Sequence, residues 1–275
     1  MIDIGAIAGN VEPGPDGVWR SNCRSEISHP EQYQQWYRAV EDDSYWFRHR
    51  AACIVACLRR FPPGGTIIDI GGGNGHVSLA MEQAGFEIVL VEPSPAAVRN
   101  ARARGLKSIV CSTLADAGFR SESLPAVGMF DVLEHIDDDA RLLAELRGLL
   151  APGGRLYVTV PAYEILWSAH DAAVGHYRRY TLGRLSKRLA EADFAVEFTT
   201  YLFSPLPLPI LLARSIPYRL WRRPETEAGR AREMGAKHGL AARAMAACLR
   251  AEERAVRRGM RIPLGSSCLA VARRR

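Results

Sequence analysis

The run Ile67-Ile68-Asp69-Ile70-Gly71-Gly72-Gly73-Asn74-Gly75-His76 constrains this chain more than any other stretch. A short apolar segment carrying one acid gives way to glycines at alternate positions. That pattern predicts a buried strand turning tightly into a helix, launched by the loop Phe61-Pro62-Pro63-Gly64-Gly65. Gly71, Gly73 and Gly75 carry no Cβ and let backbone approach a ligand closely. A nucleotide-like cofactor is the usual occupant of such a turn. The dinucleotide fingerprint needs a further glycine three places after Gly73, where this chain has His76. A pyrophosphate is therefore poorly served.

The next apolar run, Phe86 to Val91, ends in Glu92, about 20 residues beyond the first glycine, where a carboxylate can accept from both hydroxyls of a ribose. Strand and helix patterns alternate through the centre, which predicts a parallel sheet. The expected strands are Thr66–Gly71, Glu87–Val91, Ser108–Cys111, Ala126–Leu133, Arg155–Thr159, Phe194–Tyr201 and Ser267–Ala272. Helices are expected to start near Gly75, Ser94 and Asp137, with another over Thr181–Glu191. Ser94-Pro95 supplies a cap and a first-turn proline. An aromatic-rich helical segment begins at Pro30 with Tyr33, Trp36 and Tyr37, and continues through Tyr45-Trp46-Phe47 to Leu58.

The spacing Asp69-x-Gly71-x-Gly73-x-Gly75 resembles the first motif of class I S-adenosylmethionine-dependent methyltransferases. Phe130-Asp131-Val132-Leu133-Glu134-His135-Ile136 resembles their fourth motif, and Pro152-Gly153-Gly154 with Arg155–Val160 their fifth strand and its loop. These matches span roughly Tyr45 to Tyr201. The resemblance implies an α/β, Rossmann-like seven-stranded sheet, mostly parallel with an antiparallel last strand, an N-terminal helical lid and a helical insertion before the last strand. The chain then divides into a flexible arm (1–30), a helical cover (31–60), a cofactor-binding core (61–201), an apolar and basic insertion acting as a lid (202–262) and the last strand with its tail (263–275).

The resemblance also implies a site for S-adenosyl-L-methionine, with S-adenosyl-L-homocysteine as product. Asp69, Gly71, Gly73 and Gly75 would cradle the methionine part and Glu92 the ribose. Pro93, Thr113 and Leu114 would flank the adenine, and Phe130 and Asp131 would close the cofactor from the fourth strand. Trp46 would face the sulfonium, with core packing the alternative reading, and Arg48 would pair with the carboxylate. The acceptor side is expected after the fifth strand. His176 is the first choice for a general base, because imidazole titrates near neutral pH. His170 with Asp171 is the second, and Tyr180 stands close by. Arg178 and Arg179 would bind an anionic group of the substrate. Glu134 reads as structural, and His135 as either core or a support to the site.

The expected reaction is methyl transfer to an oxygen or nitrogen nucleophile of a small molecule, hydrophobic or peptide-derived, as in natural-product biosynthesis. Nucleic-acid methylation is disfavoured: Asp131-Val132-Leu133-Glu134 stands where amino-directed DNA enzymes carry a polar-Pro-Pro-aromatic run. A non-catalytic binding module is the other alternative. The six cysteines show no metal spacing and no disulfide framework, so no metal is expected. The first residues lack a basic start followed by an apolar block, and a cytoplasmic protein is expected.

The net charge of +6 is uneven: Arg219–Arg275 holds 15 Lys+Arg against 5 Asp+Glu. Leu202–Ile216 is apolar but broken by Pro205, Pro207 and Pro209, and a helix rich in Ala and Arg follows over Ala228–Gly259. Apolar wedges beside cations suit peripheral contact with an anionic membrane. A solvated arginine-rich helix or helix pairing in a homodimer would explain the same residues.

Overall fold

The computed structural model describes residues 3–21, 38, 40–221 and 240–275. Nine strands among these residues form one sheet: β1 (Val11–Pro13), β2 (Trp19–Ser21), β3 (Ile67–Ile70), β4 (Ile88–Val91), β5 (Ile109–Cys111), β6 (Leu124–Phe130), β7 (Leu150–Pro161), β8 (Phe194–Leu202) and β9 (Ser267–Arg274). Their spatial order is β1-β2-β5-β4-β3-β6-β7-β9-β8. Strands β5 to β7 run parallel through β4, β3 and β6, whereas β9 is antiparallel to both β7 and β8. Every residue of β3 and β4 is buried, as expected for strands covered on both faces.

The seven expected strands are all present, and two more extend the sheet. Residues 3–21 are not a loose arm: they form a helical turn (Ile4–Ile7) and the β1–β2 hairpin, with β2 parallel to β5. Ile4, Ile7, Ala8 and Val11 are buried in the core cluster that includes Val91 and Val110. Their apolar burial offsets the entropy of ordering this glycine- and proline-rich stretch. The remainder of the expected arm and the helix start at Pro30 lie outside the described residues, as do residues 228–239 of the arginine-rich helix.

Among the described residues, six longer helices flank the sheet: α1 (Tyr45–Arg60), α2 (His76–Gln83), α3 (Pro95–Ala103), α4 (Asp139–Leu149), α5 (Leu182–Glu191) and α6 (Leu240–Arg257). Side-chain caps fix four of their starts. The backbone N–H groups of Trp46, Ala97, Arg141 and Arg184 donate to Ser44, Ser94, Asp138 and Thr181 respectively. The segment broken by prolines proves helical from Pro207 to Trp221, with a wide i→i+5 turn over Leu211–Ser215. Pro207 and Pro209 fall in its first turn, where no intrahelical N–H is needed. The wide turn ends on Ile216 N–H bonded to the Leu211 carbonyl, just before Pro217, which has no donor to lose.

Helix α6 packs on α1. A buried knot joins them: His49 Nε2 lies 2.7 Å from Glu252 Oε1, and Phe203 N–H and Ser204 N–H donate to the same carboxylate at 2.5 and 2.8 Å. The cover helix, the end of β8 and the insertion are thereby fastened at one point. No helix among the described residues is long and apolar enough to cross a membrane.

Candidate functional site

The strand order reverses on either side of β3, with β4 and β5 to one side and β6 and β7 to the other. In an open α/β sheet, that switch leaves a crevice at the carboxyl ends of the strands. A cavity of about 630 Å³ occupies it, lined from β3 by Gly71–Gly73, from β4 by Glu92 and Pro93, and from β5 by Thr113 and Leu114. Phe130, Asp131 and Val132 line it from β6, and Trp46 and Arg50 from α1. The volume falls within the range of small-molecule and cofactor sites.

Glu92 is buried at the end of β4. Gly73 N–H donates to its Oε2 at 3.0 Å and Ser94 N–H to its Oε1 at 2.8 Å. Burial raises its carboxyl, while these two backbone bonds oppose the shift. Each carboxylate oxygen keeps a second lone-pair direction for a further donor. Gly71 has φ +68°, and a Cβ there would sit 2.8 Å from Val132 Cγ2, so the turn must stay bare. Asp69 is fully buried. The Ser78 hydroxyl donates to its Oδ2, whereas its Oδ1 has no hydrogen-bond partner. Burial pushes this carboxyl up to about 7, against the pull of Ser78 and the nearby Arg50.

Gly75 does not face the cavity. It caps α2 in the left-handed region at φ +75°, and a Cβ there would meet Leu106 Cδ1 at 2.4 Å and Ala101 Cβ at 3.0 Å. Its bareness serves the packing of α3 against the turn. Arg48 also points elsewhere, lining a shallow recess with Val55, Arg59 and Arg257. Arg50 stands in the cavity instead, ion-paired to Asp131 with its guanidinium 4.7 Å from the Trp46 ring centre. Residues two apart on a helix do not share a face, whereas Trp46 and Arg50, four apart, do; this spacing was the available signal. Trp46 lines the cavity while stacking parallel to Phe203 at 5.3 Å, so core packing and site lining both hold for it. Arg50→Met is expected to weaken S-adenosylhomocysteine binding by roughly tenfold to a hundredfold in calorimetry, as for loss of a charge-assisted bond. Arg48→Met should leave it unchanged.

On the acceptor side, His170 and His176 line the cavity with His135, the rings of His135 and His176 meeting edge-on at 4.7 Å. Asp171 serves His176 rather than His170. Its Oδ1 lies 2.8 Å from His176 Nδ1, and Arg179 donates to both of its oxygens at 2.7 and 2.9 Å. Burial alone would raise the Asp171 carboxyl, but His176 and the Arg179 guanidinium hold it well below the usual range. An ionised Asp171 can only accept, so Nδ1 of His176 carries the proton. In the neutral ring Nε2 is then left as an acceptor, 3.9 Å from Glu134 Oε1. Burial and the neighbouring Asp131 push Glu134 well above the carboxylate range, and its Oε2 has no hydrogen-bond partner.

Three expected roles shift. Arg179 is spent on Asp171 and on the Ala162 carbonyl. Arg178 donates to the carbonyls of Ile136 and Asp137. Arg178 is not among the residues that line the cavity; Arg179 does line it, with its guanidinium engaged by Asp171 and the Ala162 carbonyl. Tyr180 is buried away from the cavity, its hydroxyl donating to Asp139 Oδ2 at 2.8 Å.

Residues 44–198 match the family model described as "Methyltransferase domain". A Mycolicibacterium smegmatis protein named "Probable S-adenosylmethionine-dependent methyltransferase" is 27% identical over 178 residues, 64% of this chain and 69% of that relative. A ubiquinone biosynthesis O-methyltransferase of Xanthomonas campestris pv. campestris is 31% identical over 103 residues, 35% of this chain and 43% of that relative. The match thus spans less than half the length of the second protein. A solved SAM-dependent methyltransferase from Thermotoga maritima superposes with a TM-score of 0.53 at 18% identity, covering 89% of this chain and 95% of that one. At that identity the likeness speaks for the fold alone.

Proposed function

This chain belongs to the class I S-adenosylmethionine-dependent methyltransferases, and from that premise we propose that it methylates a hydroxyl or amine of a small, apolar or peptide-derived acceptor. The observation that carries this reading is the Asp171–His176 pair opening into the same cavity as Glu92 and the glycine turn.

The residues present fit the cofactor. Glu92 offers acceptor capacity for a ribose diol, Gly71 and Gly73 clear the backbone, and Pro93, Thr113 and Leu114 wall an adenine. Asp69 Oδ1, buried and without a partner, suits the ammonium of the amino-acid end, and Arg50 its carboxylate. When bound, the sulfonium supplies an already activated methyl group. The chain's work is then alignment of the acceptor and removal of its proton. His176 Nε2 would take the proton that the acceptor O–H or N–H must lose on methylation. Asp171 holds the ring in the required tautomer and stabilises the imidazolium. The proton would then pass from Nε2 to water.

The Asp69 carboxyl gives cofactor binding a pH dependence. With a value of about 7, it is protonated below neutrality and must lose that proton to face an ammonium. Affinity for S-adenosylhomocysteine is expected to rise with pH by up to about tenfold per unit below 7, then level off. Calorimetry at several pH values checks this, and Asp69→Asn should flatten the curve.

The function itself is tested with methyl-labelled S-adenosylmethionine and a panel of phenols and primary amines with and without alkyl tails. Transfer that improves with the tail supports the reading. Failure to bind the cofactor, or transfer to nucleic acid alone, would overturn it.

A further inference from the structure

The helix from Pro207 to Trp221 has two dissimilar sides. Ile210 and Arg214, four apart, line the cavity. Leu208, Leu212, Ile216 and Leu220, also four apart, form a strip pointing the other way. Leu208, Leu212, Leu220 and the adjoining Trp221 are 63, 57, 66 and 61% exposed, which is uncommon for a run of large apolar side chains on one element. Ile165, itself more than half exposed, belongs to the same end of the molecule, because Arg219 donates to the Glu164 and Ile165 carbonyls at 3.1 Å. Residues 207–223 hold four arginines and no acid.

We propose that this strip seats the protein on an anionic lipid bilayer, so that an apolar acceptor leaving the membrane meets the helix whose other side borders the cavity. An interfacial helix of this kind buries its apolar side among the lipids and places its cations at the headgroups. A two-fold dimer through the same face would put the exposed Arg219 in the same patch as its own copy, because an isologous interface presents one patch to itself. Like charges then oppose assembly, whereas anionic headgroups neutralise them. The wide turn at Leu211–Ser215 carries a residue of each side, Leu212 outward and Arg214 inward, and such turns commonly serve function. Delivery of the acceptor rests on the proposed methyl transfer. The seating does not, and it is measured without any acceptor.

The full chain is floated with vesicles of phosphatidylcholine alone and of phosphatidylcholine with phosphatidylglycerol, at low and high salt. It should float with the anionic vesicles and be released by salt. The double variant Leu212→Glu/Leu220→Glu should lose about tenfold or more in vesicle partitioning while binding S-adenosylhomocysteine as the unmodified chain does, which also reports that it is folded. No flotation with either vesicle, or undiminished flotation of that variant, would overturn the proposal. So would a dimer in light scattering that the variant converts to monomers without any vesicle binding, since the strip would then be a subunit interface.

Discussion

Glu92→Ala should weaken S-adenosylhomocysteine binding by about a hundredfold or more in calorimetry. The carboxylate stands at the end of β4 with Gly73 N–H on one oxygen and Ser94 N–H on the other. Alanine would remove both acceptors offered to a ribose diol and leave two backbone donors at the turn to find new partners. Each hydrogen bond to a charged group contributes about 1.5–3 kcal/mol, so two of them give the size of the effect. Glu92→Gln keeps an acceptor oxygen and should fall between. An affinity within threefold of the unmodified chain for Glu92→Ala would refute the site as drawn.

The second large effect lies in turnover. His176→Asn should lower kcat by about a hundredfold to ten-thousandfold, the usual contribution of a positioned general base, while cofactor affinity changes little. The separation follows from the geometry: His176 reaches the cavity from the loop after β7, across from Glu92 on β4. Asp171→Asn should reduce kcat too, because the amide can hold the ring in the wrong tautomer. It also leaves the buried Arg179 without its anion, which costs about 3–5 kcal/mol when one partner of a buried pair is removed, so this variant is expected to unfold more readily. His176→Asn therefore carries the test. Unaltered turnover by that variant, on any acceptor the labelled panel yields, would assign the histidine a structural role.

Strand β3, the glycine turn and Glu92 were legible in the residues because each is local. A strand buried on both faces reads as a near-continuous apolar run, here interrupted by Asp69, and the glycines that follow mark the bend. The helix starts at Ser94 and Thr181 were legible for the same reason, since a cap satisfies donors only two or three residues away. The hairpin at 3–21 was not legible: its strands are three residues long and are held by pairing with β5, nearly a hundred residues on. The helix at 207–221 was hidden by its prolines, whose cost depends on which turn they occupy.

Within the site, the amino-acid pattern alone determined a cofactor crevice and the loop that would face it. Packing decided which arginine enters, which histidine receives the aspartate and which glycine merely makes room for a neighbouring helix. Arg50 meets Asp131 across 81 positions, and His49 meets Glu252 across 203. Such contacts arise only when separate elements are stacked. Propensity and capping act over one turn of chain, whereas the direction of a side chain in a crevice is set by every surface that closes on it.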